Sequence, residues 1–117
     1  MSLWTGRMRT ACLNDRQVIP SEYRNWRDAR RHLTRPRSED LRWVYKLINE
    51  MSEGVPPEPL LIGVSDKDHA LYLSDGHHRA VALMILNEPW FPFQWCWLRY
   101  ASTPMQRVPF PFELLGD

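Results

Sequence analysis

Leu41, Val44, Tyr45, Ile48 and Met51 recur at spacings of three and four, which predicts one apolar face of a helix with Arg42, Lys46 and Asn49 turned elsewhere. Ser38 holds a favourable N-cap position, and Glu39 and Asp40 follow in the first turn, where the helix dipole favours negative charge. Gly54 is a natural stop. Upstream the pattern is looser: Pro20-Ser21-Glu22 predicts a helix start capped by Ser21, with Tyr23, Trp26 and Leu33 set among arginines and Pro36 as the end. Arg7 to Val18, around the Asn14-Asp15 turn signal, predicts a short strand or two.

Downstream the period changes. Pro56, Pro57 and Pro59 stiffen a connector into Leu60-Leu61-Ile62-Gly63-Val64, an apolar run bounded by turn residues and so a buried strand. Ser65-Asp66-Lys67-Asp68 turns the chain, and Ala70-Leu71-Tyr72-Leu73 is a second strand placed to pair antiparallel with the first. A helix from about His78 to Asn87 is apolar on nearly every side, which predicts cover from other elements, and Pro89 stops it. Phe93 to Arg99 alternates bulky residues as a further strand, and Val108-Pro109-Phe110-Pro111-Phe112 is an apolar, proline-stiffened tail that must pack on its own domain or on a partner. The sum is a single domain over 1–117 of α/β (α+β) class, a small mixed sheet with helices packed on it, its core about 16–100 and its tail 101–117.

Composition narrows the function classes. With 117 residues, 44% hydrophobic and 25% charged, the chain reads as one globular domain, and no apolar run approaches the roughly 20 residues of a membrane span. The opening MSLWTGRMRTACLNDR lacks the apolar stretch of a secretory signal, so the expected location is cytoplasmic, with no membrane partner. Cys12 and Cys96 have no metal-ligand spacing and read as packing residues. The net charge of +1 conceals an asymmetry: from Arg16 to Lys46 nine basic residues face four acids, whereas from Leu47 onward four face nine. A basic stripe containing Arg24, Arg27, Arg30 and Arg31 fits a nucleic-acid backbone as well as it fits a solvated arginine-rich face.

The concentrated chemistry lies in Ser74-Asp75-Gly76-His77-His78-Arg79-Ala80-Val81-Ala82-Leu83. Gly76 removes a Cβ that would obstruct a ligand, the first amides of the following helix point outward at its positive end, and Arg79 adds a forked cation suited to phosphate. His77 and His78 are further donors. Asp75 would repel a phosphate unless it holds magnesium, accepts a hydroxyl proton or pairs with His78 or Arg79, which makes it the candidate catalytic and metal-binding residue. An ordinary strand-to-helix turn that carries histidines is the bland alternative. Zinc is not expected, because neighbouring residues at a helix start diverge by about 100°. Ser74 reads as a cap.

These residues, PPEPLLIGV followed by a turn and ALYLSDGHHRAVAL, resemble the ParB/sulfiredoxin superfamily over about residues 38 to 88, and Val18-Ile19-Pro20 resembles its I-x-P segment. The resemblance implies that Gly76, His77, His78 and Arg79 bind nucleotide phosphates (ATP, ADP or CTP). His77 stands where sulfiredoxins carry a cysteine, so sulfinic-acid reduction is not implied. Nor is a complete CTP-switched DNA clamp, since no helix-turn-helix pattern follows. The Asp-Gly-x-His-Arg form looks most like stand-alone ParB-like proteins regarded as nucleases and like ADP-dependent free serine kinases. The latter likeness implies a phosphoryl-transfer role for Asp75 with an upstream glutamate, here Glu22. The expectation is therefore a DNA-related protein that binds nucleotide or nucleic-acid phosphate, with magnesium if it is a nuclease, hydrolase or kinase. Its rivals are a phosphotransferase and a non-catalytic module that docks a protein or forms a homodimer through Phe110 to Phe112.

Overall fold

In the computed structural model, which describes residues 2–116, five strands form one mixed sheet and three α-helices pack on it. The strands are β1 (Gly6–Arg9), β2 (Val18–Pro20), β3 (Leu60–Ser65), β4 (Leu71–Asp75) and β5 (Trp90–Leu98); the helices are α1 (Trp26–Leu33), α2 (Glu39–Ser52) and α3 (His77–Ile85). Sheet order is β1-β5-β3-β4-β2. The β1/β5 and β3/β4 pairs are antiparallel, and the β3/β5 and β2/β4 pairs are parallel. Because β4 and β5 consequently run in opposite directions, α3 leaves the sheet and hands back to it at the same end. That end collects the finish of β1, β2 and β4 with the start of β3 and β5. None of the helices is long and apolar enough to cross a membrane.

The α+β class and the β3–β4 hairpin agree with the sequence pattern. Leu60, Ile62 and Val64 of β3, Leu71 and Leu73 of β4 and Phe91, Phe93 and Trp95 of β5 are buried in one cluster with Trp26 and Ala29 of α1 and Ala80 and Leu83 of α3. α2 closes a second, smaller cluster through Val44 against Leu33, Val81 and Ala82. Hydrophobic burial is the main stabilising term, at about 25 cal/mol per Å² of apolar surface removed from water. It explains why α3 is apolar on nearly all sides: one side faces the sheet cluster and another faces α2.

Several expected boundaries move, each for a local reason. Ser21 does not cap α1. Its N–H bonds to the Leu73 carbonyl at 3.3 Å, which prolongs the β2–β4 pairing. The cap is Asn25, whose Oδ1 accepts from the Asp28 N–H at 2.7 Å, while the Trp26 N–H donates to Asp15 Oδ1 at 2.9 Å. α1 ends at Leu33 rather than Pro36. Ser38 caps α2 as expected, accepting from the Leu41 N–H at 3.0 Å. Within α2 the packed stripe runs through buried Val44 and the half-buried Leu47, Ile48 and Met51, and Tyr45, assigned to that face from the spacing, is 56% exposed. α3 starts one residue earlier and ends two earlier than expected, with Asn87 at φ 55° just beyond it. β5 reaches back to Trp90 across Pro92. That proline is tolerated because β3 first pairs with β5 at Phe93, so at Pro92 the strand has only β1 beside it.

The tail packs on its own domain. Phe110 is buried and meets Phe93 and Trp95 edge-on, at centroid distances of 5.3 and 5.8 Å, while the Trp95 indole N–H donates to the Val108 carbonyl at 2.9 Å. Phe112, beside it, stays 43% exposed. Cys12 and Cys96 are free thiols, and burial pushes both above the usual thiol range. Phe110→Ala should therefore lower unfolding stability by about 3 kcal/mol or more, the cost of deleting a buried aromatic ring, measured by urea titration. A change below about 0.5 kcal/mol, typical of surface sites, would show that the tail is not part of the core.

Candidate functional site

The turn after β4 has the conformation its sequence demanded. Gly76 adopts φ 108°, ψ 27°, a left-handed backbone open to glycine at little cost, and it serves as the N-cap of α3 without any side-chain capping bond. A Cβ at this position would lie 3.0 Å from Leu60 Cγ and 3.4 Å from Arg79 Nε. The glycine therefore does more than bend the chain. It lets the first turn of α3 sit directly on the start of β3. Ser74, read as a cap, makes no such bond; it alternates with the buried Leu73 and so lies on the other face of the sheet.

Arg79 spans this junction. Its Nη1 donates to the Pro59 carbonyl at 3.0 Å and its Nη2 to Asp75 Oδ2 at 3.3 Å, with the side chain 19% exposed and that of Asp75 74% exposed. The Asp75–Arg79 pairing allowed by the sequence is thus made, and the fork is already half engaged. The two histidines diverge, as adjacent helical residues must. His78 reaches toward α2, where its Nε2 lies 2.8 Å from Asp40 Oδ1. His77 turns inward, 5% exposed, with its ring against Tyr23 and Trp26 at 5.5 and 6.3 Å between centroids.

His77 was expected to donate to phosphate, and its burial places it behind the turn instead. Desolvation lowers its pKa below the ordinary 6.5, outweighing the opposing pull of Glu22 and Asp75, so it is neutral at pH 7. Its Nε2 has no hydrogen-bond partner, and its Nδ1 lies 3.9 Å from Glu22 Oε2. That contact brings Glu22, distant in sequence, to the turn. Among the described residues, no group of three or more His, Cys, Asp or Glu side chains is arranged to hold a metal ion. Asp75 remains as an exposed single carboxylate.

Two clefts adjoin the first turn of α3, and periodicity alone did not reveal them. One, of about 430 Å³, is lined by Arg79 together with Trp43, Lys46, Glu50 and Pro57. The other, of about 540 Å³, is lined by His78, Asp40, Arg42, Trp43 and Lys46. They share Trp43, 49% exposed, and Lys46, whose Nζ lies 4.9 Å from the centroid of that indole. The available signal is a tryptophan off the apolar face, three residues before a lysine. The stripe residues Arg24, just ahead of α1, and Arg27, Arg30 and Arg31 on it are all exposed and lie outside both clefts.

Comparisons with protein-family models, characterised proteins and solved structures return no match. The class established is thus that of the fold itself, a compact α+β domain with a strand-glycine-helix junction at one end of its sheet.

Two outcomes follow for the turn. Gly76→Ala should destabilise by about 1–2 kcal/mol from backbone strain alone, with a further loss from displacing Leu60, read from the denaturant midpoint. The depressed pKa of His77 means that the unfolded chain binds its proton more readily. Stability is then full above the unfolded value of 6.5 and declines as pH falls from there toward the lower folded value. His77→Leu should flatten that part of the wild-type pH profile; an unchanged slope between the two proteins would contradict a neutral buried imidazole.

Proposed function

We propose that this chain binds the phosphate groups of a nucleotide at the first turn of α3, with the base lying against Trp43. The observation that carries the reading is the meeting of two clefts at Trp43 and Lys46, beside a helix N-terminus that no side chain caps. Unsatisfied amides at that terminus favour an anion, Lys46 and Arg79 border the place where it would sit, and an exposed indole accepts a stacked ring. The cleft charges are mixed, since Glu50 and Asp40 accompany Lys46, Arg79 and His78. Phosphate must therefore be held by directed donors rather than by a broad positive field. The resemblance of the Asp-Gly-His-His-Arg turn to the ParB/sulfiredoxin superfamily supports the same site. Asp75 is the carboxylate that a magnesium ion accompanying the phosphates would meet, in keeping with that ion's use of one or two carboxylates plus phosphate oxygens.

A second reading, phosphoryl transfer or nucleotide hydrolysis, is favoured by the approach of Glu22 to His77, which sets two exposed carboxylates, Glu22 and Asp75, about one buried ring. In that reading Asp75 accepts the proton of the attacking hydroxyl or water.

A thermal-shift screen of ATP, ADP, CTP and GTP, with and without magnesium, tests binding. At a hundredfold excess over Kd the native state gains about 2.7 kcal/mol, a rise of several degrees in Tm. Lys46→Ala and Trp43→Ala, both at exposed positions, should remove most of that shift while leaving the ligand-free Tm nearly unchanged. Arg79→Ala is a poorer probe because it also breaks the bond to Pro59. The absence of any shift with all four nucleotides would refute the proposal. Nucleotide turnover lost in Asp75→Asn with the thermal shift retained would select the second reading.

A further inference from the structure

We infer that a single-stranded nucleic acid lies along a track of arginines that starts at Trp90 and follows α1, a site separate from the turn at Gly76. Three depressions form the track. The first, of about 670 Å³, is lined by Arg9, Thr10, Arg30, Met84, Glu88 and Trp90 among others. The second, of about 450 Å³, is lined by Asp15, Arg27, Arg30 and Met84. The third, of about 280 Å³, is lined by Arg24, Arg27, Asp28 and Arg31. Arg30 belongs to the first and second and Arg27 to the second and third, so the depressions are consecutive stretches of one surface. Arg27 and Arg30 are three residues apart on one face of the helix, about 4.5 Å along its axis. That is the same order as the axial rise per phosphate along a stacked strand, about 3.4 Å.

The charges along this surface are free on one side only. Among the described residues, Arg7, Arg9, Arg24, Arg27 and Arg30 make no ion pair. The acids beside them are mostly spoken for: Asp15 accepts from the Trp26 N–H, and Asp28 accepts from the Arg24 N–H and from Arg31 and lies 3.4 Å from His32 Nε2. Glu88 is the carboxylate in the first depression with no such partner. The Thr10 hydroxyl, buried in the wall of the same depression, has no hydrogen-bond partner either.

Trp90 makes the track more than a basic patch. It is 43% exposed and stands opposite Arg9 in the β1–β5 register, with Arg7 two residues along on the same face. The guanidinium carbons of Arg7 and Arg9 lie 5.5 and 5.4 Å from the indole centroid. An indole flanked by two cations offers a stacking plane for a base and charges for the phosphates on either side of it. A base held in a duplex is not free to stack there, whereas one in a single strand is. An acidic protein segment would use the arginines and leave the indole idle.

The test is fluorescence anisotropy of the full chain with a labelled oligonucleotide of about 16 nucleotides, as DNA, as RNA and as the DNA duplex of the same sequence. Tighter binding of either single strand than of the duplex is expected, and the DNA and RNA arms identify the sugar preferred. Trp90→Ala should weaken single-strand binding roughly tenfold or more, while Trp90→Phe keeps most of it. Arg27→Ala with Arg30→Ala should lower the slope of log affinity against log salt by about 1.4, or about 0.7 per lost phosphate contact. If Trp90→Ala disturbs the fold, the arginine pair, whose side chains are exposed, carries the test alone. Equal affinity for duplex and single strand, indifference to the arginine pair, or equally effective displacement by poly-glutamate would each overturn the inference.

Discussion

The clasp made by Arg79 sets the geometry at the working end of this fold. One guanidinium bonds the carbonyl of Pro59, where β3 begins, and the carboxylate of Asp75, where β4 ends, while being itself rooted in the first turn of α3. Gly76 makes the clasp reachable, because a side chain there would press on Leu60 and on the guanidinium at once. The stability of such a charge-assisted bond to a carbonyl is modest, on the order of 1.5–3 kcal/mol. Its structural effect is larger than that figure suggests. With β3, β4 and α3 fixed to one another, α2 can dock through Val44 on Val81 and Ala82, and the clefts beside Trp43 acquire a rigid wall.

The same clasp changes how the turn should be understood. A phosphate loop built from free cations would present all of its charged groups to the ligand. Here Arg79 is committed to the backbone, His78 is held by Asp40, and His77 is a neutral buried ring. What the turn offers is a pre-ordered set of backbone amides, with side chains that have lost most of their freedom before any ligand arrives. In the proposed nucleotide reading, preorganisation of this kind would lower the entropic cost of binding and leave discrimination to α2 rather than to the turn itself.

Much of this architecture was legible in the chain. Ser38, the spaced apolar residues of α2 and the hairpin around Ser65 to Asp68 each carry a local signal strong enough to survive tertiary contact, and the strand-glycine-helix turn was readable from Asp75-Gly76 between an apolar strand and an apolar helical run. The signals that failed were those for which a distant partner decides. Ser21 looks like a cap until Leu73 claims its N–H, and the N-terminus of α1 is set by Asp15 and Asn25 together. Tyr45 fits the apolar period of α2 as well as Leu47 does, and only the position of α3 separates them. His77 and His78 are indistinguishable in sequence, yet the helix sends one into the core and the other to Asp40. The ParB/sulfiredoxin resemblance suggested by the sequence rests on the same local signals and says nothing of the clefts.

The sheet topology puts the two surfaces proposed to bind anions within reach of one another. β4 delivers the turn and β5 begins with Trp90 at the same end of the sheet, two strand positions apart, a separation of about 10 Å across β3. α3 connects them directly, its first turn beside Lys46 and Trp43 and its last beside Arg9 and Arg30 through Met84. The charge asymmetry of the sequence therefore has a spatial form: the basic segment carries β2, α1 and the first half of α2, and the acidic remainder supplies β3, β4, β5 and α3. A helix that touches both sites through opposite ends is a rigid connection. Were both proposed sites occupied, α3 would be the element common to them, and any displacement of it would work against the Arg79 clasp.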